Sequence, residues 1–378
     1  MTQPDFTEHR SMLLNSVTDF ARGVDVARVR KLHETKTECD RAVWSQMAEL
    51  GWLGVLVPEQ YGGMGLKLGD MAIVAQGLAR ALVPEPLTAA AVLAARVLID
   101  SGNEPLKTRL LEGLVSGEIL PATAWQEEAG TLDVSKISAQ ATPFEGGFRV
   151  NGSKRFIAGA TNADGYIVSA NSKDDMQLLW VPRDVAGATM QFDMLADGRQ
   201  SGTLNLKDVV IAKANVINSG AAATASLARA IDHAAVIAGA ELCGIMGRSL
   251  EITLEYLKTR VQFGKAIGSF QALQHRAVDL YIQQELSTAV LGDCLTALDS
   301  EPDAKTRSAA ASRVKARCTD AALLITRQAI QMHGAIGFTE DCNVGLYVKR
   351  AMTLAAWLGN GNAHRRRYAK TEILEGAN

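Results

Sequence analysis

Apolar positions follow three successive rhythms along the 378 residues. Through residue 120 the spacing is helical. Val43, Met47 and Leu50 share one face of 41–50, residues 78–99 are dense in Ala, Leu and Val, and 109–114 ends at Ser116-Gly117. Between these helices, residues 51–58 form an apolar run closed by Pro58, and Tyr61-Gly-Gly-Met-Gly65 follows. The proline and glycines mark turns, so a connector with a buried apolar stretch is expected. After Pro121 the rhythm changes to alternation, with strands predicted at 148–151, 166–170, 177–182 and 203–206 between Gly, Asn and Asp turns. From residue 221 the helical rhythm returns over 225–260, 272–298, 303–334 and 343–357, lengths suited to a bundle. Helices, then strands, then helices predict an α+β chain rather than a doubly wound sheet. The expected domains are an N-terminal helical domain (1–120), a middle β-domain (121–220) and a C-terminal four-helix bundle (221–378).

Composition narrows the function. Lys plus Arg (39) and Asp plus Glu (41) leave a net charge of −2, which gives no field favouring nucleic acid or an anionic membrane. Apolar stretches such as 89–95 are interrupted by charge, so no membrane span is expected. Residues 1–10 contain Asp5 and Glu8 and lack the basic-then-apolar order of a secretory leader. Five cysteines with no CxxC pair read as reduced thiols of a cytoplasmic protein, and six histidines with no HxxxH pair argue against a metal site. No GxGxxG follows a strand, so a Rossmann site is not indicated.

Four segments carry a resemblance. Tyr256-Leu-Lys-Thr-Arg-Val-Gln-Phe-Gly-Lys-Ala-Ile-Gly-Ser-Phe-Gln-Ala-Leu-Gln-His-Arg276 resembles the signature of acyl-CoA dehydrogenases. Gln331-Met-His-Gly-Ala-Ile-Gly-Phe-Thr-Glu340 resembles the family's Q-x-x-G-G-x-G-[FY] loop. Residues 49–65 resemble its ELGxxGxxVPExYGGxG motif, and Asn151-Gly-Ser-Lys-Arg-Phe-Ile157 its NGxKxWI turn. The matches keep the family's order over nearly the whole chain. They imply a helical–β–helical fold, FAD as cofactor, and α,β-dehydrogenation of an acyl-CoA to a trans-2-enoyl-CoA. They also imply electron-transferring flavoprotein as acceptor, and a homo-oligomer or a hetero-tetramer with a related subunit. The subtype most similar is that of bacterial small subunits of pimeloyl-CoA-type dehydrogenases.

The resemblance also assigns residues. Arg260 would pair with the FAD pyrophosphate, Phe263 and Gln271 would line the adenylate end, and Gln331 with Gly334 would form the facing loop. Arg260 alone would read equally as a cation closing a helix C-terminus. Phe156 and Ile157 stand where the family packs Trp-Ile against the flavin, here without the following hydroxyl. Residues 125–131 replace TEPxxGS and add a second acid. The α-proton needs a base. The C-terminal position many members use falls at about Gly359, in Trp357-Leu-Gly-Asn-Gly-Asn362, where there is no carboxylate. The alternative position of isovaleryl-CoA dehydrogenase falls at Ala234. Glu241 lies two helical turns further on, offset by about 20° and ~10 Å. Its neighbours are small and apolar, so Glu241 is expected to be the base, a structural ion-pair member, or exposed on a wet face. Glu251 and Glu255 read as solvated helix charges. His333 reads as packing, His275 and Arg276 as a subunit or domain contact, and 362–368 as a basic helix end or phosphate contact. Two other functions remain open: a non-catalytic partner subunit that completes flavin sites, and a related flavin oxidase or monooxygenase.

Overall fold

Capping residues and prolines decide where the N-terminal helices begin and break. In the computed structural model, which describes residues 8–35, 39–173 and 175–372, these helices are α1 (Glu8–Arg22), α2 (Val26–Arg30), α3 (Leu32–Thr35), α4 (Arg41–Glu49) and α5 (Leu68–Arg80). Asp40 caps α4 by accepting from the Ala42 amide. The connector after α4 is core, as its apolar run predicts: Trp52, Leu53, Val55 and Val57 are fully buried. The helix expected over 78–99 is interrupted. Leu82 takes φ 57°, and Pro84 and Pro86 lack the amide donors a helix needs. The chain restarts as a buried π-helical run, Thr88–Ala94, which leads into α6 (Ala95–Ile99). Helix α7 (Glu104–Val115) follows, capped by Asn103 with a proline in its first turn.

The alternating segment folds as one sheet of β1 (Pro121–Ala124), β2 (Gln140–Phe144), β3 (Gly147–Ala158), β4 (Gly165–Ser172), β5 (Asp175–Pro182), β6 (Ala188–Met194), β7 (Gln200–Ala212) and β8 (Val216–Ser219). The order is β6-β7-β3-β2-β4-β5-β8, with β1 also on β4. Only β1 and β2 run parallel to β4; the other pairs are antiparallel. The β3–β7 ladder slips between Lys154 and Ile157, and Phe156 sits inside that slip at φ 59°. A long helix α8 (Gly220–Thr259) then leads to the short hairpin of β9 (Val261–Gln262) and β10 (Lys265–Ala266). Helices α9 (Gln271–Leu298), α10 (Ala304–His333), α11 (Val344–Ala356) and α12 (Gly361–Glu372) complete the chain. The class is α+β, with helices, sheet and helical bundle in the predicted order.

Contacts divide the chain into two compact units. One holds residues 1–30, 72–83 and 235–378; the other holds 31–71 and 84–234. In the first unit, α10 packs against α9, α11 and α12. Gly244 of α8 explains why most of α5 joins this unit: a Cβ there would lie 2.3 Å from the Gln76 carbonyl oxygen, so only glycine allows this approach. Helix α8 is long and apolar enough, by length and composition, to cross a membrane. Its apolar window is 89% buried within the protein, which is the pattern of a core helix.

Candidate active site

Glu241 is the only acid in the 234–246 stretch of α8, and that stretch is buried throughout. Burying a carboxylate there is costly unless it is paired. The partner comes from α11: the Arg350 guanidinium donates to Glu241 Oε2 at 2.7 Å. Glu241 is 9% exposed, so of the three expected placements the wet face is excluded and an interior ion pair is present.

A second charge lies deeper. Lys315 on α10 is fully buried, and its ammonium donates to the carbonyls of Leu354 (2.7 Å), Ala355 (3.4 Å) and Gly359 (3.0 Å). Burial lowers its pKa from 10.5 to about 7, against the raising influence of the Cys318 thiol and the Glu241 carboxylate. Three acceptors around one nitrogen match the three donors of the charged form. Lys315 therefore holds the end of α11 and the 357–360 turn, and the Glu241 carboxylate lies within electrostatic reach of its ammonium.

The turn itself is unusual. Leu358 and Gly359 are both left-handed, at φ 56° and 89°, and both are buried. The amides of Leu358, Gly359 and Asn360 have no acceptor among the described residues. Leu358 and Gly359 are buried and Asn360 is exposed; buried amides are rarely left so in folded proteins, and successive free donors suit a ligand oxygen. His364, at 0% exposure, holds the turn from α12 through Nε2 to the Leu358 carbonyl at 2.8 Å.

At the far end of α8 the bundle is pinned by a stack. The Tyr256 and His333 rings lie 4.5 Å apart at 22°, and His333 Nδ1 donates to the Ala329 carbonyl at 2.8 Å. His333 is thus a packing residue, and burial lowers its pKa. This stack brings the end of α8, which carries Arg260, to the end of α10, which carries Gln331 and Gly334. Arg260, Gln271, Gln331 and Gly334 are exposed, and Phe263 is 89% exposed at φ 52°. Among the described residues the Arg260 side chain has no partner. A free guanidinium, an exposed ring and an open glycine turn suit a phosphate and a flat base. The last sequence assignments near this unit also resolve. Glu251 takes Arg80 at 2.7 Å rather than standing free in solvent. His275 and Arg276 are exposed.

In the other unit, Phe156 is half-buried on its strained bulge beneath the Arg155 guanidinium, 5.0 Å from the ring centroid, and Ile157 is fully buried. Strain of this kind is found where a backbone is aimed at a ligand. The acid-bearing segment 125–131 is organised by Lys154. Its fully buried ammonium donates to Glu127 (2.6 Å), Ser169 (3.0 Å) and the Trp125 carbonyl (3.4 Å). Burial lowers the lysine's pKa to about 8, with Glu127 opposing. For Glu127 burial pulls upward, yet Lys154 and the Ala139 and Ser138 amides outweigh it and the net shift is downward. Glu127, one of the two acids by which 125–131 departs from the family motif, thus anchors its segment to the sheet.

Residues 7–118 match the profile of the acyl-CoA dehydrogenase N-terminal domain, and 224–373 that of the C-terminal domain. Acyl-CoA dehydrogenase IpdE2 of Mycobacterium tuberculosis is 32% identical over 355 residues, covering 93% of this chain and 92% of the relative. IpdE2 of Mycolicibacterium smegmatis is 29% identical over 363 residues, covering 96% and 98%. Among solved structures, a variant of the Tcur3481-Tcur3483 steroid ACAD superposes with a TM-score of 0.87 at 27% identity, over 98% of this chain and 99% of that one. The chain belongs to the acyl-CoA dehydrogenase family, a family of FAD-dependent oxidoreductases. Within its own unit, the exposed donor set at the end of the bundle has the chemistry to hold the phosphate and flat base of that cofactor. Lys315 was not found from sequence, and the roles of Lys154, the lysine of the NGxKxWI turn, and His364, within the 362–368 run, were not read from it, because a basic residue in a helix or strand carries no mark of the distant acceptors that bury it.

Proposed function

We propose that this chain catalyses α,β-dehydrogenation of an acyl-CoA thioester to a trans-2-enoyl-CoA, with Glu241 as the base. The observation that supports this reading is a turn of three amides without acceptors among the described residues, held by Lys315, whose charge is within electrostatic reach of the buried Glu241 carboxylate. A thioester α-proton is too weakly acidic for a carboxylate unless the developing negative charge on the thioester oxygen is stabilised. The amides of Leu358, Gly359 and Asn360 supply donors for that oxygen, and Glu241 takes the proton from Cα. Arg350 keeps the carboxylate oriented between turnovers. Bound FAD supplies the two-electron acceptor for the hydride that leaves Cβ. Arg260 would hold its pyrophosphate, Phe263 and Gln271 its adenylate end, Gln331 and Gly334 the facing loop, and Phe156 and Ile157 its ring system. Electron-transferring flavoprotein then removes the electrons, in the cytoplasm.

The assembly is oligomeric in this reading. Helix α9 carries two apolar stripes. Leu280, Ser287, Leu291, Cys294 and Leu298 are buried, whereas Val278, Tyr281, Ile282 and Leu286 are exposed on the roughly opposite face. A second apolar face on one helix suits a subunit contact.

A second reading has support of its own. Glu241 is already engaged by Arg350, and 357–362 contains no carboxylate. Both features suit a partner subunit that completes flavin sites in a hetero-tetramer without turning over. Anaerobic flavin bleaching by a panel of acyl-CoAs tests both. Bleaching by the chain alone, reduced at least ~10²-fold in Glu241→Gln, supports the first. An FAD-bound chain that bleaches only with a second subunit, regardless of Glu241, supports the other.

A further inference from the structure

Helix α11 ends in more machinery than termination requires. A helix C-terminus is ordinarily closed by one left-handed glycine. Here Leu358 and Gly359 are left-handed in succession, and a left-handed conformation in an L-residue such as leucine crowds Cβ against the following carbonyl oxygen. Such a conformation persists only where its surroundings over-determine it. Two buried polar groups do so. Lys315 reaches from α10 to the last-turn carbonyls of Leu354 and Ala355 and, past the turn, to Gly359. His364 reaches from α12 to the intervening Leu358 carbonyl at 2.8 Å, and its Nδ1 faces Ser312 Oγ at 3.4 Å. A carbonyl can only accept, so Nε2 carries the proton and Nδ1 is the acceptor for the serine hydroxyl. Carbonyl oxygens on both sides of the strained peptide are therefore held, while the amides between them are left without acceptors.

We propose that Lys315 and His364 are positioning residues that clamp the Trp357–Asn360 turn from two helices, fixing its amides where the acyl thioester oxygen is received. The proposal rests on the acyl-CoA reading above. Neither residue touches substrate; both act through the backbone of the turn.

The test uses FAD-loaded wild type, Lys315→Met, His364→Leu and His364→Gln. Amide hydrogen exchange over 354–361, without substrate, reads the clamp. The saturating rate of flavin bleaching, separated from half-saturation by titrating acyl-CoA, reads its effect on the chemistry. Lys315→Met and His364→Leu should raise exchange in the turn by about tenfold or more. They should lower the saturating rate roughly 10²-fold, the scale of a ~1 Å misplacement. His364→Gln keeps a donor for the Leu358 carbonyl and should recover most of both. Unchanged exchange in the two disabling variants overturns the clamp. Raised exchange with an unchanged saturating rate overturns its link to the reaction. Should Lys315→Met fail to fold, the two His364 variants carry the same comparison. A wild type that holds FAD but bleaches with no acyl-CoA defeats the functional reading instead, and the proposed link to the chemistry falls with it.

Discussion

Glu241 and Arg350 meet at 2.7 Å in the interior of the helical bundle, with 109 positions of chain between them. Such a pair stabilises little in itself, because desolvation offsets attraction, but removing one member strands a buried charge. Arg350→Leu should therefore destabilise the protein by about 3–5 kcal/mol. Combining it with Glu241→Leu should recover a large part of that loss. Urea midpoints of the two single variants and the double variant check this. Additive losses would mean that the two groups do not act as a pair.

Arg260 is exposed and its side chain has no partner among the described residues, so Arg260→Ala should leave the melting temperature of the apoprotein unchanged. Its FAD affinity should fall about 10- to 150-fold, the loss of one charge-assisted phosphate contact. Equilibrium dialysis against FAD decides. Equal affinities in the two proteins would remove Arg260 from the cofactor site.

Lys154 is the fully buried anchor of the segment that follows β1. Glu127→Gln leaves its ammonium facing neutral groups alone and should lower stability by about 3–5 kcal/mol. Lys154→Met with Glu127→Gln together should be milder than Glu127→Gln alone. Chemical denaturation of the sheet, followed by tryptophan fluorescence, measures both. An unaltered midpoint in the single variant would show that Lys154 finds sufficient partners in Ser169 and the Trp125 carbonyl.

His364 sets an acid limit. Burial first, and then the Lys315 ammonium, lower its pKa from 6.5 to about 3. Between those values the unfolded chain binds a proton that the folded chain refuses, so stability rises with pH through that window and falls on acidification. The slope from this one group is at most about 1.4 kcal/mol per pH unit. Above pH 6.5 neither state is protonated there and the contribution is flat. His364→Gln should flatten the dependence between pH 4 and 6.5. Parallel stability profiles for variant and wild type would assign the acid sensitivity to other groups.

The exposed stripe of α9 predicts self-association. Sedimentation of the wild type should give a species larger than 40.4 kDa. Ile282→Lys with Leu286→Lys should shift it toward the monomer and weaken FAD retention as well, since the cofactor site is expected to span subunits. A wild-type monomer that holds FAD would defeat this reading.

The helices and strands were legible wherever their stabilisation is local. Periodicity located α8 to α11 within a few residues at either end, because each has a continuous buried stripe. It failed across 81–87, where Pro84 and Pro86 count for more than an apolar run, and it could not foresee the π-helical turn that follows. The motifs hold Arg260 and Gly334, which follow the C-terminal ends of α8 and α10, and the Tyr256–His333 stack brings those two ends together. Lys315 shows the limit. In an Ala-rich helix it reads as a surface charge, because the acceptors that bury it lie 39 to 44 positions later. The left-handed state of Leu358 is equally silent, since leucine has no preference for it and only tertiary bonds impose it.

The division of the chain has a consequence for its biosynthesis. Residues 1–30 and 72–83 belong with 235–378, so the first segments to leave a ribosome must wait for the last before they can bury their apolar faces. Helix α8, and α5 before it, cross the boundary without a break, so no single cut releases an intact half. Such a chain assembles late, through contacts of long sequence separation, and its early segments remain open to chaperones and proteases meanwhile. Fragments expressed to isolate either unit should therefore aggregate, because each lacks segments that bury its apolar faces.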